Sequence, residues 1–206
     1  MKEEVLDLRG LACPLPVVRT REKLAAFSGG RLVIRVDGPI PRDNVCRTLG
    51  HAGCRVTAEE PEGTGFRLTV AVPAQAGARA ASAPDPECGQ PTAPAGAPVV
   101  LITGDTIGRG SEELGSLLMK AFCNTLETLA VKPAVIACMQ SGVRLVIDDA
   151  DTLPALQRAE KAGIRILVCG TCLDYFKLKD RVRVGTVSNM YDITDALVRA
   201  GSVITL

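Results

Sequence analysis

A stretch rich in alanine, proline and glycine interrupts the chain and divides it in two. Six prolines are scattered from Pro73 to Pro98 among Ala, Gly, Ser and Gln, and the stretch has no apolar periodicity. Such a segment buries too little apolar surface to offset the entropy that ordering would cost. We therefore expect a flexible linker over residues 73–97, a first domain over residues 1–72 and a second domain over residues 98–206.

The first domain has the residue pattern of a small sheet covered on one face. Leu32, Ile34 and Val36 alternate with more polar neighbours, which predicts a strand with one apolar side. Further strands are expected at Val5–Leu8, Arg55–Glu59 and Phe66–Val72, and helices from about Pro14 and over Pro39–His51. The order βαβαββ predicts a two-layer sandwich with both helices on the same face of the sheet.

A cysteine precedes the first helix at a place that favours a reactive thiol. In Cys13-Pro14-Leu15-Pro16 the prolines mark a helix start, because the first N–H groups of a helix have no intrahelical partner. The positive end of the helix dipole lowers the pKa of a nearby thiol from its ordinary value of about 8.5. A small buried cysteine that fills the turn is the alternative interpretation.

These residues resemble a known signature. Asp7-Leu8-Arg9-Gly10-Leu11 followed by Cys13-Pro14-Leu15-Pro16 is similar to the motif of the TusA/SirA family of sulfur-carrier proteins. The resemblance covers essentially residues 3–72, and it implies the βαβαββ fold and a Cys13 that carries sulfur as a persulfide. Gly10, Pro14 and Pro16 then shape the motif, and Arg9 either steers an anionic group of a partner or pairs at the surface.

The second domain alternates short apolar runs with helical stretches. Val99–Thr103 is a continuous apolar run between Pro and Gly, as expected of a buried parallel strand. Similar strands are expected at Ala134–Cys138, Val143–Ile147, Ile164–Val168 and Val203–Leu206, with helices near Glu112–Ala130, Leu153–Ala162 and Ile193–Ala200. The alternation predicts a three-layer α/β/α domain with a mainly parallel sheet and with sites at the carboxyl ends of the strands.

A Cys-x-x-Cys motif follows one of these strands directly. Cys169 and Cys172 open the next helix, so we expect the thiolate of Cys169 to be stabilised there and Cys172 to lie one turn inward, within disulfide reach. Two buried structural thiols are the alternative, and zinc would require a second cysteine pair. Cys138 ends another strand and competes with Cys169 as the reactive cysteine of this domain.

Two other patterns are better explained by local structure than by a site. The loop Gly104–Gly110 suggests phosphate binding, but it lacks Lys-Ser or Lys-Thr, and Ser111 as a helix cap accounts for it. Asp148, Asp149 and Asp151 are expected as turn and cap residues before the following helix.

Cys46, His51 and Cys54 lie close in sequence without the spacing of a zinc site. They are spread over a helix, its end and the start of a strand, so we interpret them as half-buried thiols and a surface histidine. No metal and no organic cofactor are expected anywhere in the chain.

The second domain resembles the DsrE/DsrF-like family. Ser141–Leu145, Cys169–Leu173 and Val187–Tyr191 are similar to the YedF subgroup, which joins a sulfur-carrier domain to a DsrE-like domain and is linked to selenium metabolism. This resemblance implies a place in sulfur or selenium metabolism and raises the question of homo-oligomers formed through the DsrE-like domain.

The net charge and the hydropathy pattern indicate which kinds of partner and which cellular location to expect. The net charge of +1 provides no basic field for nucleic acid or an anionic membrane, and no apolar run reaches the roughly 20 residues of a membrane span. The N-terminal residues lack the pattern of a signal peptide, so a cytoplasmic protein is expected, with its eight cysteines mostly reduced.

The sequence therefore predicts a sulfurtransferase-like carrier. Cys13 accepts sulfane sulfur, or selenium, from a cysteine desulfurase or another persulfide donor, and a downstream thiol or selenium-pathway protein accepts it. A relay from Cys13 to Cys169, with Cys172 resolving the product, follows as an expectation. The alternatives are a thiol–disulfide oxidoreductase that uses the Cys-x-x-Cys motif and a non-catalytic protein that binds a partner of selenium metabolism.

Overall fold

The computed structural model describes residues 3–27, 29–74, 76 and 96–206. The chain divides into two compact units, residues 1–92 and 93–206. Most of the expected linker, including Cys88, lies outside the described residues.

The first unit contains a four-stranded mixed sheet and two helices. The elements are β1 (Glu3–Asp7), α1 (Leu15–Ala26), β2 (Gly30–Val36), α2 (Pro39–His51), β3 (Arg55–Glu62) and β4 (Gly65–Val72). The strand order is β1-β2-β4-β3, with β1 parallel to β2 and the other neighbours antiparallel. The predicted βαβαββ order is confirmed.

The core of this unit lies between the sheet and both helices. Leu32 and Ile34 of β2 are fully buried and belong to the same apolar cluster as Leu24 of α1 and Leu49 of α2. Since side chains on a strand alternate between faces, both helices cover the same side of the sheet, as the sequence predicts. The other side carries charged pairs such as Arg31–Glu3 at 3.6 Å.

The second unit is built on a five-stranded parallel sheet. Its elements are β5 (Pro98–Ile102), α3 (Glu112–Thr125), β6 (Val135–Cys138), α4 (Leu153–Lys161), β7 (Arg165–Cys169), α5 (Gly170–Phe176), β8 (Thr186–Ser188), α6 (Met190–Val198) and β9 (Ser202–Thr205). The strand order is β8-β7-β6-β5-β9, and every neighbouring pair is parallel.

The topology places helices on both faces of this sheet. The chain steps from β5 to β6 and β7 in one direction, and it returns from β8 to β9 at the opposite edge. Right-handed crossovers then place α3 and α4 on one face and α6 on the other. The predicted α/β architecture with a parallel sheet is confirmed.

One predicted strand of this domain is wrong, and one strand was missed. Val143–Ile147 was expected to be a strand, but residues Gln140–Val146 form a 3₁₀ helix across the end of the sheet. Short apolar runs do not distinguish a buried helical turn from a strand, and here Gly142 lets the backbone approach the carbonyl oxygen of Ile102. Strand β8 has only three residues, Thr-Val-Ser, which carry no clear strand pattern.

Among the described residues, no helix has both the length and the apolar character needed to cross a membrane.

Candidate functional site

Cys13 lies in a tight turn between β1 and α1. The N–H of Leu15 donates to the carbonyl oxygen of Ala12 at 2.9 Å, and the peptide bond between Cys13 and Pro14 is cis. Pro14 is the N-cap residue of α1, so Cys13 stands one residue before the helix cap. Among the seven cysteines that the structure describes, only Cys13 is exposed to solvent.

Two hydrogen bonds donated by backbone N–H groups anchor the loop that leads to Cys13. Leu8 is buried, and its N–H donates to the carbonyl oxygen of Arg35 at 2.9 Å on the neighbouring strand. Gly10 has a φ of +74°, a conformation that glycine adopts without strain, and its N–H donates to the carboxylate of Asp37. These contacts fix the loop against the ends of the two parallel strands β1 and β2.

Arg9 is paired within the same loop. Its Nε donates to Oδ1 of Asp7 at 2.9 Å, and the guanidinium lowers the pKa of that carboxyl to about 2. Of the two roles that the sequence left open for Arg9, the structure shows the surface pair.

The other cysteines of the first unit are partly enclosed. Cys46 and Cys54 are half-buried, and burial raises both pKa values, that of Cys54 to about 11. No group of three His, Cys, Asp or Glu side chains that could hold a metal ion is found within the described ranges.

The second unit places three cysteines at or near the carboxyl edge of its sheet. Cys138 is the last residue of β6 and Cys169 the last residue of β7, and α5 begins at the next residue, Gly170. Cys138 is completely buried, and burial raises the pKa of its thiol to about 12, with Cys123 as a second contribution. This environment disfavours Cys138 as a thiol that meets a partner protein.

The two cysteines of the Cys-x-x-Cys motif differ in burial. Cys169 is 1% exposed because it is still part of β7 and pairs in register with Ser188 of β8. Cys172 is half-buried and lies on the first turn of α5. Burial raises the pKa of Cys169 to about 11, opposite to the thiolate stabilisation predicted for it, and the neighbouring Cys172 thiol acts in the same direction as burial.

A backbone group outside the motif also contacts the accessible thiol. The N–H of Gln140 donates to the Sγ of Cys172 at 3.2 Å. Gln140 has a φ of +50°, which is uncommon for a residue with a side chain. This left-handed conformation at the start of the 3₁₀ helix is part of the geometry that points the N–H toward α5.

Charged and aromatic side chains surround this part of the edge. Ser141 donates its hydroxyl to Asp105 at 2.9 Å, and Arg144 lies 3.6 Å from the same carboxylate. The Arg144 guanidinium also lies over the Phe176 ring, 4.9 Å from its centroid. Sequence reasoning identified Cys172 but missed Gln140, because no local pattern reveals a positive φ at a residue other than glycine.

The serine before α3 and the aspartates before α4 have structural roles. Ser111 caps α3 by accepting the N–H of Leu114 at 3.3 Å, as predicted. Asp148, Asp149 and Asp151 lie in turns before α4, as predicted, but none of them caps the helix. Asp148 and Asp149 both pair with Arg181 at 2.8 Å. The N-cap of α4 is Thr152, without a capping bond from its side chain.

Comparison with known proteins matches the first unit. The family model described as "Sulfurtransferase TusA" matches residues 4–72. Two proteins of Neisseria meningitidis, from a serogroup A and a serogroup B strain, are named as proposed sulfur carrier proteins. Each is 39% identical over 74 residues, which are 34% of this chain and 96% of the relative. The chain belongs to the TusA family.

The TusA domain accounts for only part of the protein. A solved SirA-like protein from Desulfitobacterium hafniense is 26% identical, covers 35% of this chain and 99% of its own, and superposes with a TM-score of 0.32. The family match ends at residue 72. The second unit, a domain with a five-stranded parallel sheet, lies outside that match.

Proposed function

We propose that this protein is a sulfur carrier whose Cys13 holds sulfane sulfur as a persulfide. One observation carries the proposal: the cysteine of the Cys-Pro-x-Pro turn of the TusA domain is the only exposed one among the described cysteines. A thiol that exchanges sulfur with other proteins must be reached by their reactive cysteines, and Cys13 meets this requirement.

The proposed transfer consists of two exchanges that need no metal or organic cofactor. The Cys13 thiolate attacks the terminal sulfur of a donor persulfide, a new S–S bond forms, and the donor cysteine leaves as a thiolate. An acceptor thiolate then attacks the terminal sulfur on Cys13 and restores the Cys13 thiolate. No electrons are gained or lost overall, because each step exchanges one S–S bond for another.

The anchored loop supports this role by presenting a fixed thiol. The contacts of Leu8 and Gly10 with β2 and Asp37 hold the loop at the sheet edge, so a partner meets Cys13 in one geometry. A preorganised nucleophile loses less conformational entropy when the transfer complex forms.

For the second unit, we propose a DsrE/DsrF-like domain of the YedF type that takes part in the same sulfur or selenium chemistry. Its architecture is compatible with this, and its motif cysteines stand at the edge where parallel sheets hold their sites. In a relay within the chain, the exposure of Cys172 favours it as the acceptor, in place of the Cys169 that the sequence suggested. The proposed donor is a cysteine desulfurase, and the proposed final acceptor is a thiol protein of that metabolism.

The experiment is a loading and unloading assay with a cysteine desulfurase and cysteine labelled with ³⁵S. We expect the intact protein to take up label that a thiol acceptor then removes. Cys13→Ser should abolish uptake, and Cys46→Ser, a matched change at a half-buried thiol, should leave it unchanged. Equal uptake by all three proteins would refute the carrier role of Cys13, and binding of the desulfurase without uptake would indicate a non-catalytic partner protein.

A further inference from the structure

The two thiols of the Cys-x-x-Cys motif in the second unit differ in their exposure to solvent. Cys172 is half-buried, whereas Cys169 is 1% exposed and enclosed between neighbouring strands. Cys169 directly precedes α5 and Cys172 lies three residues later on its first turn, a spacing within disulfide reach. Cys172 is therefore the thiol of this pair that a small persulfide can reach, and Cys169 is placed to react with what becomes attached to Cys172.

The accessible thiol also accepts a hydrogen bond from a different element. The N–H of Gln140, at the start of the 3₁₀ helix, donates to the Cys172 Sγ at 3.2 Å. Backbone donors directed at a sulfur favour its anionic form. The Gln140 N–H is thus placed to stabilise negative charge on the Cys172 sulfur during an exchange.

We propose that this pair reduces sulfane sulfur to hydrosulfide, with Cys172 as the acceptor and Cys169 as the resolving thiol. The activity extends the proposed function, but it does not depend on Cys13, because a small persulfide can deliver its sulfur to Cys172 directly. The substrate class is an organic persulfide, and the products are a thiol, hydrosulfide and the Cys169–Cys172 disulfide.

The chemistry balances in two steps. The Cys172 thiolate attacks the terminal sulfur of the donor persulfide, which forms a persulfide on Cys172 and releases the donor thiolate. Cys169 then loses its proton to solvent and attacks the Sγ of Cys172. The Sγ–Sγ bond forms, the bond to the terminal sulfur breaks, and that sulfur leaves with the electron pair as hydrosulfide.

The reducing electrons come from the two protein thiols. Two thiols become one disulfide, and the sulfane sulfur gains the two electrons they lose. A dithiol reductant returns the motif to its starting state by ordinary thiol–disulfide exchange. The Cys-x-x-Cys spacing on the first turn of a helix suits this reaction, because it allows the disulfide to form without rearrangement of the sheet.

The experiment uses the full chain carrying Cys13→Ser, so that Cys13 cannot take up the probe. The reduced protein is mixed with glutathione persulfide, and hydrosulfide and protein mass are followed through one turnover. We expect about one equivalent of hydrosulfide per chain and a loss of about 2 Da across the motif. Adding Cys172→Ser should remove the hydrosulfide burst, and adding Cys46→Ser, the matched control, should not change it.

Variants of the resolving thiol, Cys169, test the second step of the reaction. Adding Cys169→Ser, or Cys169→Ala should the serine variant fold poorly, should slow hydrosulfide release at least tenfold and leave a gain of about 32 Da on Cys172. Release at the unchanged rate in a folded Cys169 variant would overturn the proposal, as would a burst without disulfide formation. Either failure leaves the carrier role of Cys13 intact, since that role is measured by the loading assay with Cys13 present.

Discussion

Cys13 is exposed at a turn, whereas Cys46 and Cys54 are half-buried and Cys123 and Cys138 lie in the core. At the scale of single residues, this difference in access decides which thiols meet a partner. Desolvation acts in the same direction, because it raises the pKa of Cys54 to about 11 and that of Cys123 to about 12. The exposed thiol of Cys13 is thus separated from the thiols that burial makes harder to ionise.

Competitive alkylation of the folded protein tests this separation. With a limiting amount of iodoacetamide at neutral pH, Cys13 should be labelled first and Cys138 last, because the reagent needs an accessible thiolate. Peptide mass spectrometry gives the order. Faster labelling of Cys46 than of Cys13 would contradict the exposure argument.

The rate of the resolving step proposed for Cys169 should rise with pH. With a pKa raised to about 11 by burial, the thiolate fraction of Cys169 rises about tenfold per pH unit between pH 7 and pH 9. Hydrosulfide release after loading of Cys172 should accelerate by the same factor, which stopped-flow detection of hydrosulfide measures. A rate independent of pH over this range would show that Cys169 does not act as a thiolate in the slow step.

At the scale of elements, the 3₁₀ helix Gln140–Val146 is what brings a backbone donor to Cys172. Its passage over the sheet requires Gly142, because a Cβ there would lie 2.7 Å from the carbonyl oxygen of Ile102. The close approach holds the start of this helix against the end of β5, next to the Cys-x-x-Cys motif.

Gly142→Ala should therefore disturb both stability and the motif. We expect a loss of about 1–3 kcal/mol in the free energy of unfolding, because the backbone must shift to relieve the overlap. Gly110→Ala is the matched control, since a Cβ there meets no atom within 4 Å. Chemical denaturation measures both variants, and equal stability of the two would show that the approach of Gly142 to Ile102 is not limiting.

The elements were predictable where a pattern has one physical interpretation. The alternation of Leu32, Ile34 and Val36 and the prolines at the helix starts located the elements of the TusA domain closely. The run Val143–Ile147 was not predictable, because a short apolar run fits a strand and a helical turn equally well. The burial of Cys169 was not predictable for a related reason: it depends on where β7 ends and α5 begins, which sequence periodicity does not resolve.

At the scale of the whole molecule, the chain consists of two compact units with separate apolar cores. One core lies between the mixed sheet and two helices, and the other surrounds the parallel sheet. Neither cluster contains residues of the other unit. Each unit therefore has the interior that independent folding requires.

Cleavage of the chain at Ala93, outside the described residues, tests this organisation. We expect two soluble fragments that each unfold cooperatively, because each keeps its whole core. Calorimetry of the separate fragments and of the intact chain gives the comparison. Aggregation of either fragment, or a melting temperature far below its value in the intact chain, would indicate that the units stabilise each other.

The central claim is that this protein carries sulfur on the thiol of Cys13. Its most direct test is the mass of the intact protein, with peptide mapping, after incubation with a cysteine desulfurase and cysteine. The account predicts a gain of about 32 Da located on the peptide that contains Cys13, and its loss on addition of a reductant. A gain located on another cysteine while Cys13 stays unmodified, or no gain at all, would contradict it.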